Sequence, residues 1–91
     1  MLDIGNYYER LVNDRLWEYA QRADKRLSAQ FFEDVACLAL NQLPARYVRH
    51  RVDMGSYLTD SEHMEMLRQV EEAVTHAIEQ VLNRPHDVRQ E

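Results

Sequence analysis

Residues 28–52 have the sequence SAQFFEDVACLALNQLPARYVRHRV, which joins an apolar run, a proline and a cluster of cationic side chains. Ser28 is a residue type that caps helix N-termini, and the run behind it is apolar on almost every side, which predicts a buried central helix. Pro44 disfavours helical geometry at the residue before it and ends this helix. The aromatic and β-branched residues that follow predict a short strand or extended segment over residues 45–52.

A helix is predicted on each side of this stretch. Asn6 is an N-cap residue type, and apolar residues recur behind it at three- and four-residue steps until about residues 22–26. Thr59, with Glu62 three residues later, is the sequence pattern of a capping box. The stripe predicted to face the core from the third helix is Leu67, Val70, Val74, Ala77, Ile78 and Val81.

The fold class that these patterns predict is mostly α, with three to four helices and one short extended segment after the central helix. The chain has only two glycines and two prolines in 91 residues, which favours helices over a turn-rich β fold. We expect one domain over residues 1–84 and a polar C-terminal tail over 85–91. Since so few elements give a thin core, we also expect a homodimer with antiparallel pairing of the extended segments. The apolar residues expected to face the partner are Trp17, Tyr57, Met64 and Met66.

Composition narrows the class of protein. The single cysteine, Cys37, excludes an intrachain disulfide and is expected to be a buried, inert thiol, which suits a cytoplasmic location. We expect no secretory leader and no membrane span, since no stretch approaches ~18 apolar residues. The formal net charge of −5 disfavours nucleic acid as a partner, because nucleic-acid binding requires broad basic surfaces.

Catalytic and metal-binding patterns find little support in the sequence. The two glycines form no phosphate-binding loop, and no nucleophile motif or HExxH metal motif is present. His63 and His76 lie near glutamates on the third helix, where charged residues usually form a solvated face. We therefore expect a protein that is not an enzyme and has no metal or cofactor.

The cationic cluster RYVRHR, residues 46–51, is the candidate ligand site. It carries three arginines and no acidic residue, in a chain whose remainder is acidic. In an extended chain, Tyr47, Arg49 and Arg51 share one face. Arginine binds phosphate or a guanine edge through a planar fork, and tyrosine stacks on a base. The predicted ligand-binding residues are thus Arg46, Tyr47, Arg49, His50 and Arg51.

An alternative interpretation makes these arginines structural. They would then form ion pairs with the acidic third helix, although such surface pairs contribute less than ~1 kcal/mol to stability. The acidic residues proposed as their partners are Glu62, Glu65, Glu71, Glu72 and Glu79.

Residues 34–48, DVACLALNQLPARYV, resemble the ComFB family of late competence development proteins. The matching residues are Asp34, Ala39, Leu40, Asn41, Leu43, Pro44, Tyr47 and Val48. The first helix, NYYERLVNDRL, also resembles the family pattern. Two departures stand out: Ala45 replaces a second proline, and Ser28 and Phe31 occupy the positions of a CxxC pair that many members carry. A thiolate zinc site is therefore not expected here.

The resemblance implies a regulatory function, because some ComFB-type proteins are described as receptors for cyclic dinucleotides, particularly cyclic di-GMP. The expected function is a non-enzymatic dinucleotide-binding protein that signals to an unknown protein partner. Asp34, Asn41 and Pro44 are assigned to the structural motif. Asp34 or Asn41 could cap or orient the cationic segment, since both are polar within an apolar helix, but the interpretation favoured for Asn41 is a bond to local backbone. The alternative is a ligand-free interaction module, possibly competence-related, that docks through its Tyr57–Leu58 turn or its third helix.

Overall fold

The computed structural model describes residues 2–23, 27–49 and 58–83. Five elements follow one another within these ranges: β1 (Ile4–Asn6), α1 (Tyr7–Ala23), α2 (Ala29–Asn41), β2 (Tyr47–Arg49) and α3 (Asp60–Leu82). The prediction of a mostly α fold, with an extended segment after the second helix, is confirmed. The homodimer remains a prediction, and the predicted tail at 85–91 lies outside the described residues.

Each helix begins at the cap that the sequence predicts. The Asn6 side chain accepts a hydrogen bond from the backbone N–H of Tyr8 at 3.2 Å, and the Ser28 hydroxyl accepts one from Phe31 at 3.0 Å. At α3 the capping box is complete, because Thr59 and Glu62 each accept the other's backbone N–H at 3.0 Å. These bonds satisfy amide donors that have no partner inside the helices.

The first strand was not predicted from the sequence. β1 pairs antiparallel with β2 in a two-stranded sheet, and its register joins Ile4 to Arg49, Gly5 to Val48 and Asn6 to Tyr47. The extended segment thus finds a strand partner within its own chain. Among the described residues each strand pairs along one edge alone, so pairing between two copies is neither required nor prevented by this arrangement.

One apolar core joins the three helices. Val12 from α1, Val35 from α2 and Val74 from α3 are each at most 1% exposed. Two assignments on α3 were wrong by one position: Met66 is buried, not partner-facing, and Leu67 is 41% exposed, not in the core. Position 66 lies four residues before Val70 on the buried face, whereas position 67 is rotated about 100° from it, towards the edge of that face.

The helix predicted to be central is only partly enclosed. α2 packs against both α1 and α3, which also contact each other, so the three described helices form a triangle in which none is surrounded by the other two. Phe31, Val35 and Ala39 are buried, whereas Glu33 and Cys37 face outward. The prediction of a buried thiol was therefore wrong, because Cys37 lies on the exposed side of the helix.

Other sequence expectations concern the surface. Trp17 and Met64, expected to face a partner, are 58% and 66% exposed, and Tyr57 lies outside the described residues.

Within the described ranges, no helix is both long and apolar enough to cross a bilayer. The same ranges contain no cluster of three histidine, cysteine or acidic side chains placed to hold a metal ion.

Candidate functional site

The cationic segment is anchored to the start of α1 at its first residue. The backbone N–H of Arg46 donates to Asn6 Oδ1 at 2.9 Å, and the backbone N–H of Tyr7 donates to the Arg46 carbonyl at 2.7 Å. The Asn6 oxygen also caps α1 through Tyr8, so one side chain serves two backbone donors. These three bonds fix where β2 enters the sheet.

The predicted alternation of side chains holds along the described part of the segment. Tyr47 is 65% exposed and Arg49 is also exposed, whereas Arg46 and Val48 are half-buried. Tyr47 and Arg49 therefore lie on the outer face of β2, where a ligand can reach both. His50 and Arg51, which were predicted to continue the site, lie outside the described residues.

Arg46 lines a different surface from Tyr47 and Arg49. It contributes to a groove of about 460 Å³ between the entry to β2 and the first turns of α3. The buried Tyr8 hydroxyl donates to Gln69 Oε1 at 2.6 Å beside it. Burial raises the pKa of the Tyr8 phenol, and the positive charge of Arg46 opposes that rise. Arg46 is therefore close enough to act on Tyr8 electrostatically.

The acidic residues of α3 have partners other than the cationic segment. Arg68 contacts Glu65 and Glu72 at 2.6 Å each on the same helix, and Arg15 from α1 contacts Glu71 at 3.1 Å. The hydrogen bond from Arg68 lowers the pKa of the Glu65 carboxyl.

Arg46 and Arg49 have no ion pair with any residue in the described ranges. The intramolecular interpretation of the arginines is thus not supported for these two. Arg46 does share its groove with Glu62 and Glu65, so it still faces negative charge.

The residues assigned to the structural motif have different roles in the fold. Pro44 lies between α2 and β2, and Asp34 is half-buried on α2. Asn41 is the exposed last residue of α2, and within the described ranges its side chain forms no hydrogen bond, so local backbone bonding is not seen. Asn6 positions the cationic segment instead. Its place at the helix start was visible in the sequence, but its second bond joins residues 40 positions apart.

The fold and the site define a small three-helix domain whose two-stranded sheet displays a tyrosine and an arginine. The chain matches the family model of the late competence development protein ComFB over residues 5–85. It therefore belongs to the ComFB family, and this membership suggests a competence-related regulatory role. Neither the search of curated proteins nor that of solved structures found a match.

Proposed function

We propose that this protein is a non-enzymatic regulatory protein that binds a cyclic dinucleotide, preferably cyclic di-GMP, through residues 46–51. The observation that supports this best is the outer face of β2. Tyr47 and Arg49 are both exposed there, and Arg49 has no acidic partner in the described part of the chain. Membership of the ComFB family, some of whose proteins are described as cyclic dinucleotide receptors, supports the choice of ligand class.

The two side chains suit the two parts of such a ligand. The guanidinium of Arg49 donates two parallel hydrogen bonds to a phosphate, or to O6 and N7 of guanine. The ring of Tyr47, two residues away on the same face, stacks on a purine. A strand holds them at fixed spacing, and the Asn6 anchor keeps the strand in place, which reduces the entropy lost on binding.

The protein would act as a homodimer in the cytoplasm and pass the signal to a protein partner. Two copies of the segment, related by a twofold axis, present matched contacts to a ligand that is itself twofold. A nucleic-acid ligand is disfavoured, because one short cationic strand offers few phosphate contacts beside a chain of net charge −5.

Calorimetric titration with cyclic di-GMP at two salt concentrations tests the proposal. We expect micromolar or tighter binding that weakens as salt rises, since phosphate contacts are screened. Arg49→Ala and Tyr47→Ala should each weaken binding by at least about tenfold without changing the circular dichroism spectrum. The matched control is Arg22→Ala, which removes the same charge from the exposed last turn of α1.

Two results would contradict the proposal. One is the absence of both heat and thermal stabilisation at high ligand concentration, which would favour the ligand-free interaction module. The other is equal weakening by Arg22→Ala and Arg49→Ala, which would reduce the effect to net charge. Equal affinity for cyclic di-AMP would keep the site and correct only the preferred base.

A further inference from the structure

An apolar groove of about 480 Å³ lies between α1 and α2. Leu16 and Phe32 contribute to its floor, and Trp17 stacks on Phe32 with ring centroids 6.4 Å apart. More than half of the Trp17 side chain nevertheless remains exposed. A large exposed aromatic ring on a preformed apolar floor is typical of an anchor point in a protein interface.

Two carboxylates flank this groove. Glu9 on α1 and Glu33 on α2 are both exposed, and they are its only ionisable lining residues in the described part of the chain. Neither has a hydrogen bond or ion pair with any described residue. By contrast, three glutamates of α3 have ion pairs, with Arg68 on the same helix or with Arg15 on α1. The α1–α2 groove therefore offers an apolar floor together with two carboxylates that no described residue pairs with.

We propose that this groove binds an amphipathic helix of a partner protein, with apolar side chains on one face and lysine or arginine beside them. The α1 residues that line the groove run from Glu9 to Trp17, a length of about 12 Å, or roughly two turns of a docked helix. Apolar anchors at positions i, i+3 or i+4, and i+7 would then reach the floor. Flanking cations would meet Glu9 and Glu33.

The charges disfavour a second copy of this chain as the occupant. Self-association through this face would bring the Glu9 and Glu33 pairs of two acidic subunits together, and like charges in an interface oppose binding. The groove shares no lining residue with β2. The inference is therefore independent of the proposed nucleotide site, and either can fail without the other.

Binding to the groove can be followed by the fluorescence of Trp17, because it is the only tryptophan in the chain. The probe is a synthetic, tryptophan-free amphipathic peptide of about 18 residues with leucine anchors and flanking lysines, and a matched peptide carries glutamate in place of each lysine. We expect the lysine peptide to shift Trp17 emission to shorter wavelength with a micromolar Kd. The glutamate peptide should bind at least about tenfold more weakly.

Two double charge reversals distinguish the effect of the groove's own carboxylates from the effect of the protein's overall negative charge. The double variant Glu9→Lys/Glu33→Lys should raise the Kd of the lysine peptide by at least about tenfold. Glu72→Lys/Glu79→Lys reverses two exposed glutamates of α3 and should leave the Kd within about twofold. The proposal is overturned by the absence of an emission shift, by equal affinity for the two peptides, or by equal effects of the two double variants. A concentration-dependent shift without peptide would overturn it by assigning the face to a second copy.

Discussion

Asn6 is the residue on which the geometry of the candidate site depends. Its side-chain oxygen accepts the backbone N–H of Tyr8 at the start of α1 and that of Arg46 at the entry to β2. A single carbonyl oxygen has two lone pairs and can serve both donors. The residue therefore links a local interaction, helix capping, to a contact across 40 positions of the chain.

We expect Asn6→Ala to lower the free energy of unfolding by about 1–2 kcal/mol, because losing an N-cap usually costs about 1 kcal/mol and the Arg46 N–H loses its acceptor as well. Dinucleotide affinity should also fall, because the Arg46 backbone loses its anchor. Asn41→Ala is the matched control and should change stability by less than about 0.5 kcal/mol, since Asn41 is exposed. The stability changes of the two variants are measured from urea denaturation midpoints at an unchanged slope. A larger cost for Asn41→Ala would return the orienting role to that residue.

At the scale of elements, α3 is the helix whose start is set most completely by local sequence. Thr59 and Glu62 satisfy each other's backbone donors, and Asp60 and Glu62 place negative charge in the first turn. Acidic residues at a helix N-terminus interact favourably with the helix dipole. Both capping bonds join residues within 59–62, so the capping box predicts this helix boundary from four residues.

Thr59→Ala should therefore destabilise the protein by about 1 kcal/mol. Thr75→Ala makes the same chemical change at an exposed position inside α3, where alanine has the higher helix propensity, and should leave stability unchanged or slightly raised. Thermal unfolding followed at 222 nm, a helix wavelength, compares the two variants. If both lose stability equally, the capping box does not contribute beyond the loss of a threonine.

The elements also show where prediction from the sequence stops. Caps and apolar periodicity predicted all three helices, because both depend on residues within a few positions of one another. β1 was not predicted because its three residues, Ile4–Asn6, are too few to give a strand pattern. Their partner strand also lies more than 40 positions away in the sequence. Periodicity also gave the burial of Met66 and Leu67 the wrong way round, since only the packing of α1 and α2 fixes which side of α3 is covered.

The exposure of Cys37 has the same origin. An apolar run predicts burial on average, but it does not say which side of a helix is left uncovered when three helices pack as a triangle. The strand period predicted that Tyr47 and Arg49 share one face, and both are exposed on β2, whereas their role in ligand binding remains a prediction. What the sequence did not reveal was the Asn6 anchor, because that contact exists only once β1 and β2 have paired.

At the scale of the whole molecule, α1 connects the two surfaces proposed to bind partners. Its first residues are bonded to the entry of β2 through Asn6 and Tyr7, and its middle carries Trp17 in the α1–α2 groove. A ligand that alters the pairing of β2 with β1 therefore acts on the helix that forms one wall of the groove. If one site receives the signal and the other transmits it, the protein must have at least two conformational states. Each of the two ligands must then bind one of these states more tightly than the other.

This requirement gives a reciprocal prediction. Cyclic di-GMP at saturation should change the Kd of the lysine peptide, read from Trp17 emission, by a factor of about five or more. The peptide at saturation should change the calorimetric Kd of cyclic di-GMP by the same factor, because coupling free energy is shared between the two binding events. Asn6→Ala should reduce both factors together, since it breaks one of the two bonds that join the entry of β2 to the start of α1. Arg22→Ala, at the far end of α1, should leave them unchanged. If both ligands bind but neither alters the other's affinity, the strand and the groove are independent sites, and signal transfer through α1 is excluded.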